Sequence, residues 1–474
     1  MADDDIRKSG KYTGLIKNTL ILGLGLIGSK LVQFILLPYF TNVLTTSEYG
    51  TIDLVVTFVG LMVPLLTLEL SDSVLRFGLS NDINKKSLVN NACVILLISV
   101  VITVLLSPLI RFYESIAEYK LYVIGLIISQ AIRVNFALFV KANNKVFVYS
   151  LDSIMTAAII ALFDILLISK CNMSVYGYFI AEIVGNCCSV LFLLSVGRIS
   201  KYISFSEGID LDLLKQMLKY SVPLMFNALS WWITSFSDRM ILDLFFSTNE
   251  VGIYAVAAKI PAIVTTLLSV FTQAWIISAV KEYENTKDIK FFENIYVMYS
   301  SLLFIFVSAV ILIVKPIMKF YVGEDFFDAW YYVQILLLGA VFLGISNYYG
   351  AIYASAKANV LEIKSTIVCA ISNIILNFVL IPNRGILGAV IATACSYVVV
   401  VIVRIVDTKK LLQIKNPSKE IIITGILLIL EIMFIMSEKY LQAVICFILV
   451  LSLSLKILKR HGVLHKIKGF IIQR

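Results

Sequence analysis

The chain has 474 residues, 59% of them hydrophobic and 15% charged, with a formal net charge of +9 and a mean hydropathy of +0.92. Soluble domains carry roughly 45–50% apolar and about 25% charged residues, so this chain cannot cover a water-facing surface and has the bilayer as its solvent. The positive charge does not point to nucleic acid, because the basic residues fall in short stretches between apolar runs.

The first apolar run, residues 15–40, is too long for the apolar region of a cleavable signal. It ends in Pro38-Tyr-Phe40 rather than a small-residue cleavage site, so it reads as a first membrane helix. A span requires about 20 mostly apolar residues, since a helix rises roughly 1.5 Å per residue across a hydrocarbon core of about 30 Å. That ruler predicts helices at 15–40, 49–70, 88–110, 119–140, 148–169, 174–197, 217–246, 251–280, 293–314, 329–355, 360–381, 385–405, 419–437 and 440–458. The expected fold is all-α, a polytopic membrane protein of about fourteen transmembrane helices. With the N-terminus in the cytoplasm, 29 Lys and Arg lie on that side, 7 on the other and 4 inside spans. This is the asymmetry of cytoplasmic loops, and it predicts that both termini are cytoplasmic.

The chain also repeats itself. Leu15-Ile-Lys17-Asn-Thr19 resembles Met217-Leu-Lys219-Tyr-Ser221, and Thr46-Ser-Glu48-Tyr-Gly50 faces Thr248-Asn-Glu250-Val-Gly252, both at an offset of 202. Pro108-Leu-Ile-Arg-Phe-Tyr113 matches Pro316-Ile-Met-Lys-Phe-Tyr321, Lys141-Ala-Asn143 matches Lys357-Ala-Asn359, and Tyr176-Gly177 meets Leu387-Gly388. Matches in order, each at the same membrane level, indicate duplication. Six helices per half give both halves the same topology, as in parallel repeats that enclose a central pathway. The expected organisation is an N-terminal six-helix lobe (1–200), a cytoplasmic linker (201–216), a second six-helix lobe (217–412), and an appended hairpin with a basic cytoplasmic tail (413–474).

Ionisable residues inside spans cost roughly 2.5–3.5 kcal/mol each on insertion scales and default to functional candidates. The cations are Lys30, Arg133, Arg239 and Lys259; the anions are Asp164, Glu182, Asp238, Asp243 and Glu431. Lys30, Arg239 and Lys259 fall in the middle-to-outer part of helices one, seven and eight. Two readings are open. One is a cationic cavity for a phosphate or pyrophosphate, with Arg binding in bidentate fashion and Lys as a compact charge. The other is local pairing, of Arg239 with Asp238 or Asp243 and of Lys30 with Glu69. Asp164, Glu182 and Asp238 are candidates for a coupling ion, Na+ or H+; structural pairing is the plainer account of Asp164 and Glu182. Trp231-Trp232, Tyr348-Tyr349 and Tyr353 also lie within spans, where helix packing is favoured over sugar stacking.

Other signals are set aside. Gly23-Leu-Gly25-Leu-Ile-Gly28 spells a dinucleotide fingerprint but lies inside an apolar helix with no strand before it, so it reads as close helix packing. Asp210-Leu-Asp212 is isolated in the linker, where it solvates or caps. The seven cysteines have no metal-ligand spacing and read as apolar packing residues. No motif for ATP-driven transport is present, and no cofactor is expected beyond a coupling ion.

The stretch from Lys17 to Lys30 and then Pro38 to Gly50 resembles the opening of bacterial polysaccharide repeat-unit flippases of the Wzx type, within the multidrug/oligosaccharidyl-lipid/polysaccharide exporter superfamily. Asn227 to Asp238 and Glu250 to Lys259 resemble the start of that family's second half, and the likeness covers roughly residues 10–410. It implies a two-lobed, MATE-like bundle around a V-shaped cavity that flips undecaprenyl-pyrophosphate-linked oligosaccharides by alternating access. It also implies that cations on helices one, seven and eight line the cavity, matching Lys30, Arg239 and Lys259 in type, with Arg133 a further candidate. Partners on this reading are the lipid-linked oligosaccharide, the bilayer, and a polysaccharide polymerase with its chain-length machinery; no nucleic acid is expected. The extra hairpin is a departure from twelve-helix relatives and is similar to the lipid II flippases of the same superfamily. A multidrug antiporter and a membrane polysaccharide polymerase are the alternatives. Basic rather than acidic residues in the spans weigh against the first, and short outer loops against the second.

Overall fold

Within hydrocarbon the backbone has no water to bond, so a spanning segment must satisfy its own N–H and C=O groups as a helix. The computed structural model describes residues 25, 28–80, 82–204, 208–414 and 419–461, and it contains no strand among them. The helices are α1 (28–43), α2 (Thr46–Thr67), α3 (Leu70–Gly78), α4 (Lys85–Leu106), α5 (Glu114–Ala117), α6 (Lys120–Ala142), α7 (Val146–Asp164) and α8 (Ser174–Ser195). They continue with α9 (Leu211–Phe245), α10 (Thr248–Asn285), α11 (Ile289–Tyr321), α12 (Ala329–Ser355), α13 (Asn359–Arg384), α14 (Ile386–Leu411), α15 (Lys419–Met436) and α16 (Tyr440–Arg460). Eleven are long and apolar enough to cross a membrane. Of the other long helices, α9 is diluted by the Ser, Thr, Asn, Trp and Tyr residues of its middle as well as by Asp238, Arg239 and Asp243, and α15 by Lys419, Glu420 and Glu431. Large side chains such as Leu97 and Leu105 of α4 are more than half exposed, a face suited to lipid.

By packing, the chain divides into two compact units, Met1–Phe236 and Ser237–Arg474, with the boundary inside α9. In the first unit, Gly25 lets α1 approach α7 so closely that a Cβ there would stand 2.8 Å from that of Ser150, and one on Gly28 would meet Ile154 at 3.1 Å. At these positions the glycine pattern is helix packing. Gly23 lies outside the described residues. Asp210 caps α9, its Oδ1 accepting from Leu213 N at 3.0 Å, so six residues of the expected linker are already helical. Asn90 and Asn91 tie the linker to α4 through Ser204 O (2.6 Å) and Asp210 O (2.8 Å). The basic tail beyond His461 lies outside the described residues.

The duplication reappears as local geometry. Thr45 caps α2 in a reciprocal box with Glu48, and Ser247, 202 residues on, caps α10 and bonds Glu250. The turns after α6 and α12 each place one residue at positive φ, Asn144 and Lys357. These stand 213 apart, three residues out of step with the Lys-Ala-Asn match, because the turn and not the tripeptide is the repeated unit. Gly177 and Gly388 each sit against the end of the preceding helix, near Leu167 and Leu380 respectively.

In the second unit α12 is central. Tyr348, Tyr349 and Tyr353 are 1%, 3% and 0% exposed, and the Trp275 ring stacks on Tyr348 at 5.2 Å while its Nε1 donates to Tyr348 O at 3.1 Å. These aromatics are core. The hairpin α15–α16 packs on α11 along a polar seam with seven-residue spacing. Asn294 Oδ1 lies 3.2 Å from His461 Nδ1, Ser301 is buried, Ser308 bonds Glu431, and Lys315 Nζ meets Glu438 at 2.7 Å. Lys315 also lies 4.5 Å from the Trp330 ring, and its hydrogen bond holds the exposed Glu438 carboxyl below the usual range. A seven-residue repeat keeps one helix face toward a partner, so the seam sets the hairpin's register.

Ser308→Ala should leave the buried Glu431 without its donor and cost about 1–3 kcal/mol. Adding Glu431→Leu should return most of that loss, since removing both polar partners is far cheaper than orphaning one. Thermal unfolding in detergent measures both; an unchanged melting temperature for Ser308→Ala would remove the seam's role.

Candidate functional site

The most elaborate polar cluster lies in the second unit. Its centre is Asp238 on α9, 1% exposed. Oδ1 accepts from Asn373 Nδ2 at 3.0 Å and Asn377 Nδ2 at 2.7 Å, and Oδ2 from the hydroxyls of Thr393 at 2.6 Å and Tyr254 at 2.5 Å. Asn373 and Asn377 lie one turn apart on α13 and so share a face; Thr393 comes from α14 and Tyr254 from α10. Ser237 Oγ donates to Asn373 Oδ1 at 2.6 Å and holds that amide in place. Hydrogen bonds to a charged group contribute about 1.5–3 kcal/mol each, which is how an ionised carboxylate is kept in a core.

The cage also fits a small hard cation. It gathers one carboxylate with neutral oxygens from Ser237, Tyr254, Asn373, Asn377 and Thr393, the donor type of hard metal ions rather than of zinc or copper. Asn377 Oδ1 is buried and has no hydrogen-bond partner among the described residues, an acceptor available to such an ion. A half-turn of either amide exchanges its N–H group for an oxygen at the carboxylate. Among the described residues no group of three His, Cys, Asp or Glu is placed to hold a metal ion.

Arg239 is the next residue, 9% exposed, with its guanidinium over the Tyr254 ring at 5.1 Å. Tyr254 therefore touches both candidates, Asp238 through its hydroxyl and Arg239 through its face. Lys259 is half-buried farther along α10. Lys30 belongs to the first unit, where it is exposed and its Nζ donates to Gln33 Oε1 at 3.2 Å.

The remaining candidates also fall in the first unit. Arg133 on α6 donates from Nε to Ser189 Oγ at 3.3 Å, and Ser189 donates to Asp152 Oδ1 at 2.6 Å. This chain across α6, α8 and α7 links Arg133 to a fully buried acid. Asp164 closes α7 where the helix widens into a π-turn over Ile165–Lys170. It is 1% exposed, and neither carboxyl oxygen has a hydrogen-bond partner among the described residues. Glu182 is its ionisable neighbour and accepts from Tyr178 at 3.4 Å.

Several of these groups escape a reading of charge and hydropathy. Asn373, Asn377 and Thr393 are neutral, although two amides one turn apart in an apolar run are a legible signal. Asp152 is not among the span acids picked out from the sequence. Arg404, at the end of the predicted 385–405 helix and not among the span cations named from the sequence, is 2% exposed. Its Nε donates to Ser365 Oγ at 3.1 Å and its Nη1 to Ser346 O at 2.9 Å. Gly350 makes room for it, since a Cβ there would stand 2.6 Å from Nη1.

Residues 15–278 match the family described as polysaccharide biosynthesis protein. A relative described as a probable low-salt glycan biosynthesis flippase, Agl15 of Haloferax volcanii, is 26% identical over 189 residues. That match covers 39% of this chain and 40% of the relative, so the chain matches well under two thirds of that protein's length. In fold, the chain is similar to the lipid II flippase MurJ in an inward closed conformation. The TM-score is 0.71 at 16% identity, covering 94% of this chain and 100% of that one. It is also similar to an inward-facing multidrug resistance MATE family transporter, with a TM-score of 0.65 at 15% identity, covering 80% and 97% respectively. At such identities the likeness is one of fold.

Thr393→Val preserves volume but removes a donor from Asp238, and should cost about 1–3 kcal/mol, while Thr393→Ser should keep most of the stability. Thermal unfolding separates them; equal melting temperatures would show that the cage does not hold Asp238.

Proposed function

The chain belongs to the polysaccharide biosynthesis protein family, and from that premise we propose that it is a flippase for undecaprenyl-pyrophosphate-linked oligosaccharide repeat units. It works in the bacterial cytoplasmic membrane, with both termini in the cytoplasm, and serves capsule, O-antigen or exopolysaccharide synthesis by alternating access. The observation that carries the reading is the pairing, on one helix, of a buried acid held by four hydrogen-bond donors with a cation: Asp238 in its cage and Arg239 beside it, joined through Tyr254. The relative's name, flippase, and the fold shared with a lipid II flippase support the same class. The relative and the two solved structures described above are named as flippases and a transporter, which weighs against the polymerase alternative.

On this reading Arg239, Lys259, Lys30 and Arg133 supply the positive charge of a central cavity that receives the pyrophosphate. Arg239 is the bidentate ligand and the lysines are point charges. A Na+ ion held by Asp238, Asn373, Asn377 and Thr393 supplies one unit of positive charge when bound. The four hydrogen-bond donors would then yield part of the carboxylate, and Tyr254, released from Oδ2, would alter the support beneath Arg239. Asp164 and Glu182 form a second coupling locus. A carboxyl without donors cannot stay ionised in an apolar interior unless it gains a partner, and this pair is suited to carrying a proton. Polymerase and chain-length proteins receive the flipped unit on the far side.

A drug antiporter of the same fold is the competing reading, favoured by the likeness to a multidrug transporter. A pocket for cationic drugs wants acidic lining, and Arg239 and Lys259 oppose it.

Replacing Lys30, Arg239 and Lys259 together with Ala should abolish surface polysaccharide in cells at normal protein level. Normal surface polysaccharide would rule out the cationic-cavity mechanism, and efflux of cationic drugs by the purified protein would favour the antiporter. Exchanging K+ for Na+ should raise the melting temperature of the wild type and leave Asp238→Asn unmoved; an equal response from both would take the ion away from the cage.

A further inference from the structure

The base of the appended hairpin holds a charged feature that flipping does not use. Glu420, in the first turn of α15, and Lys456, Lys459 and Arg460, in the last turns of α16, line a cleft of about 460 Å³. The three cations stand at positions i, i+3 and i+4 and therefore share one face of α16. Arg460 is held across the cleft by Glu420 at 2.9 Å, and the end of α16 is fixed by His461 against Asn294 at 3.2 Å. Cations that only cap a helix terminus or mark a cytoplasmic loop need not converge with a second helix. Here they do, and one carboxylate against three cations leaves the cleft with a surplus of two positive charges.

The surroundings decide what kind of anion fits. One and two turns back along the same face of α16, Leu455 and Leu449 are exposed, and on α15 Ile423, one turn from Glu420, is exposed as well. A cationic floor beneath an open apolar wall matches an amphiphile, with its phosphate among the cations and its acyl chain along the wall. A free phosphate would use only the floor. We infer that the cleft between the start of α15 and the end of α16 binds the headgroup of an anionic membrane phospholipid. The lipid screens three like charges on one helix face and bridges the two helices. It thereby fastens the hairpin at the end opposite the Lys315–Glu438 pair. This site is independent of the substrate assigned above.

The test uses the full chain in nanodiscs and reads its melting temperature. In discs containing phosphatidylglycerol the wild type should melt higher than in phosphatidylcholine alone. The triple variant Lys456→Gln, Lys459→Gln, Arg460→Gln should lose that difference, and Glu420→Gln should enlarge it by removing the competing carboxylate. Inorganic phosphate added to phosphatidylcholine discs should shift nothing. The inference is overturned if the triple variant keeps the full phosphatidylglycerol response, or if phosphate alone reproduces it, which would make the site one for a free anion. Should the triple variant fail to fold, Glu420→Gln decides: a phosphatidylglycerol response no larger than the wild type's counts against the site.

Discussion

A carboxylate taken out of water loses several kcal/mol of solvation even after the protein relaxes, and in hydrocarbon the chain itself must make good that loss. The buried acids of this protein are placed along a scale of how fully it does so. Asp238 has four donors aimed at it. Asp152 is reached by Ser189 and Glu431 by Ser308, each with its other oxygen unpaired among the described residues. Asp164 has no hydrogen-bond donor among the described residues. An acid with four donors is stable as an anion and can exchange donors for a cation. An acid with none must acquire a proton or a counter-ion. One polar inventory thus holds acids in two kinds of setting, and the proposed function assigns a different ion to each.

On the proposed reading, Tyr254 is one side chain that would relate ion and substrate without a long relay. Its hydroxyl and its ring face are separate interaction surfaces, and Asp238 and Arg239 occupy one each. Because the two are sequence neighbours on α9, a rotation of that helix moves them together, while a change in Tyr254 alone affects each differently. Coupling of this kind needs only that one aromatic residue has two stable placements.

The membrane class and the helix order are legible from hydropathy because a span is a bulk property of some twenty residues. The duplication is legible too, and the capping pair at Thr45 and Ser247 explains why: a helix start has to be rebuilt from the same few atoms in each half. The cage was half legible. Asp238 stands out as an acid in a span, but Asn373, Asn377 and Thr393 become partners only when α13 and α14 are folded against α9. Arg404 escapes the sequence for a related reason. A cation near a helix end looks like a loop cation until Gly350, on another helix, is seen to clear a space for it. Hydropathy reports what a segment is made of, whereas these groups are defined by what faces them.

The seam on α11 has a consequence for how such a hairpin is acquired or lost. Asn294, Ser308 and Lys315 find their partners only while the α15–α16 hairpin lies against them, and Ser301 falls on the same face by its spacing. Removing the pair would turn a polar stripe toward lipid. Grafting the pair onto a helix without the stripe would bury Glu431 with nothing to meet it. The helix and its hairpin are therefore a co-dependent module, and a twelve-helix ancestor or chimaera must exchange the α11 stripe together with the last two helices.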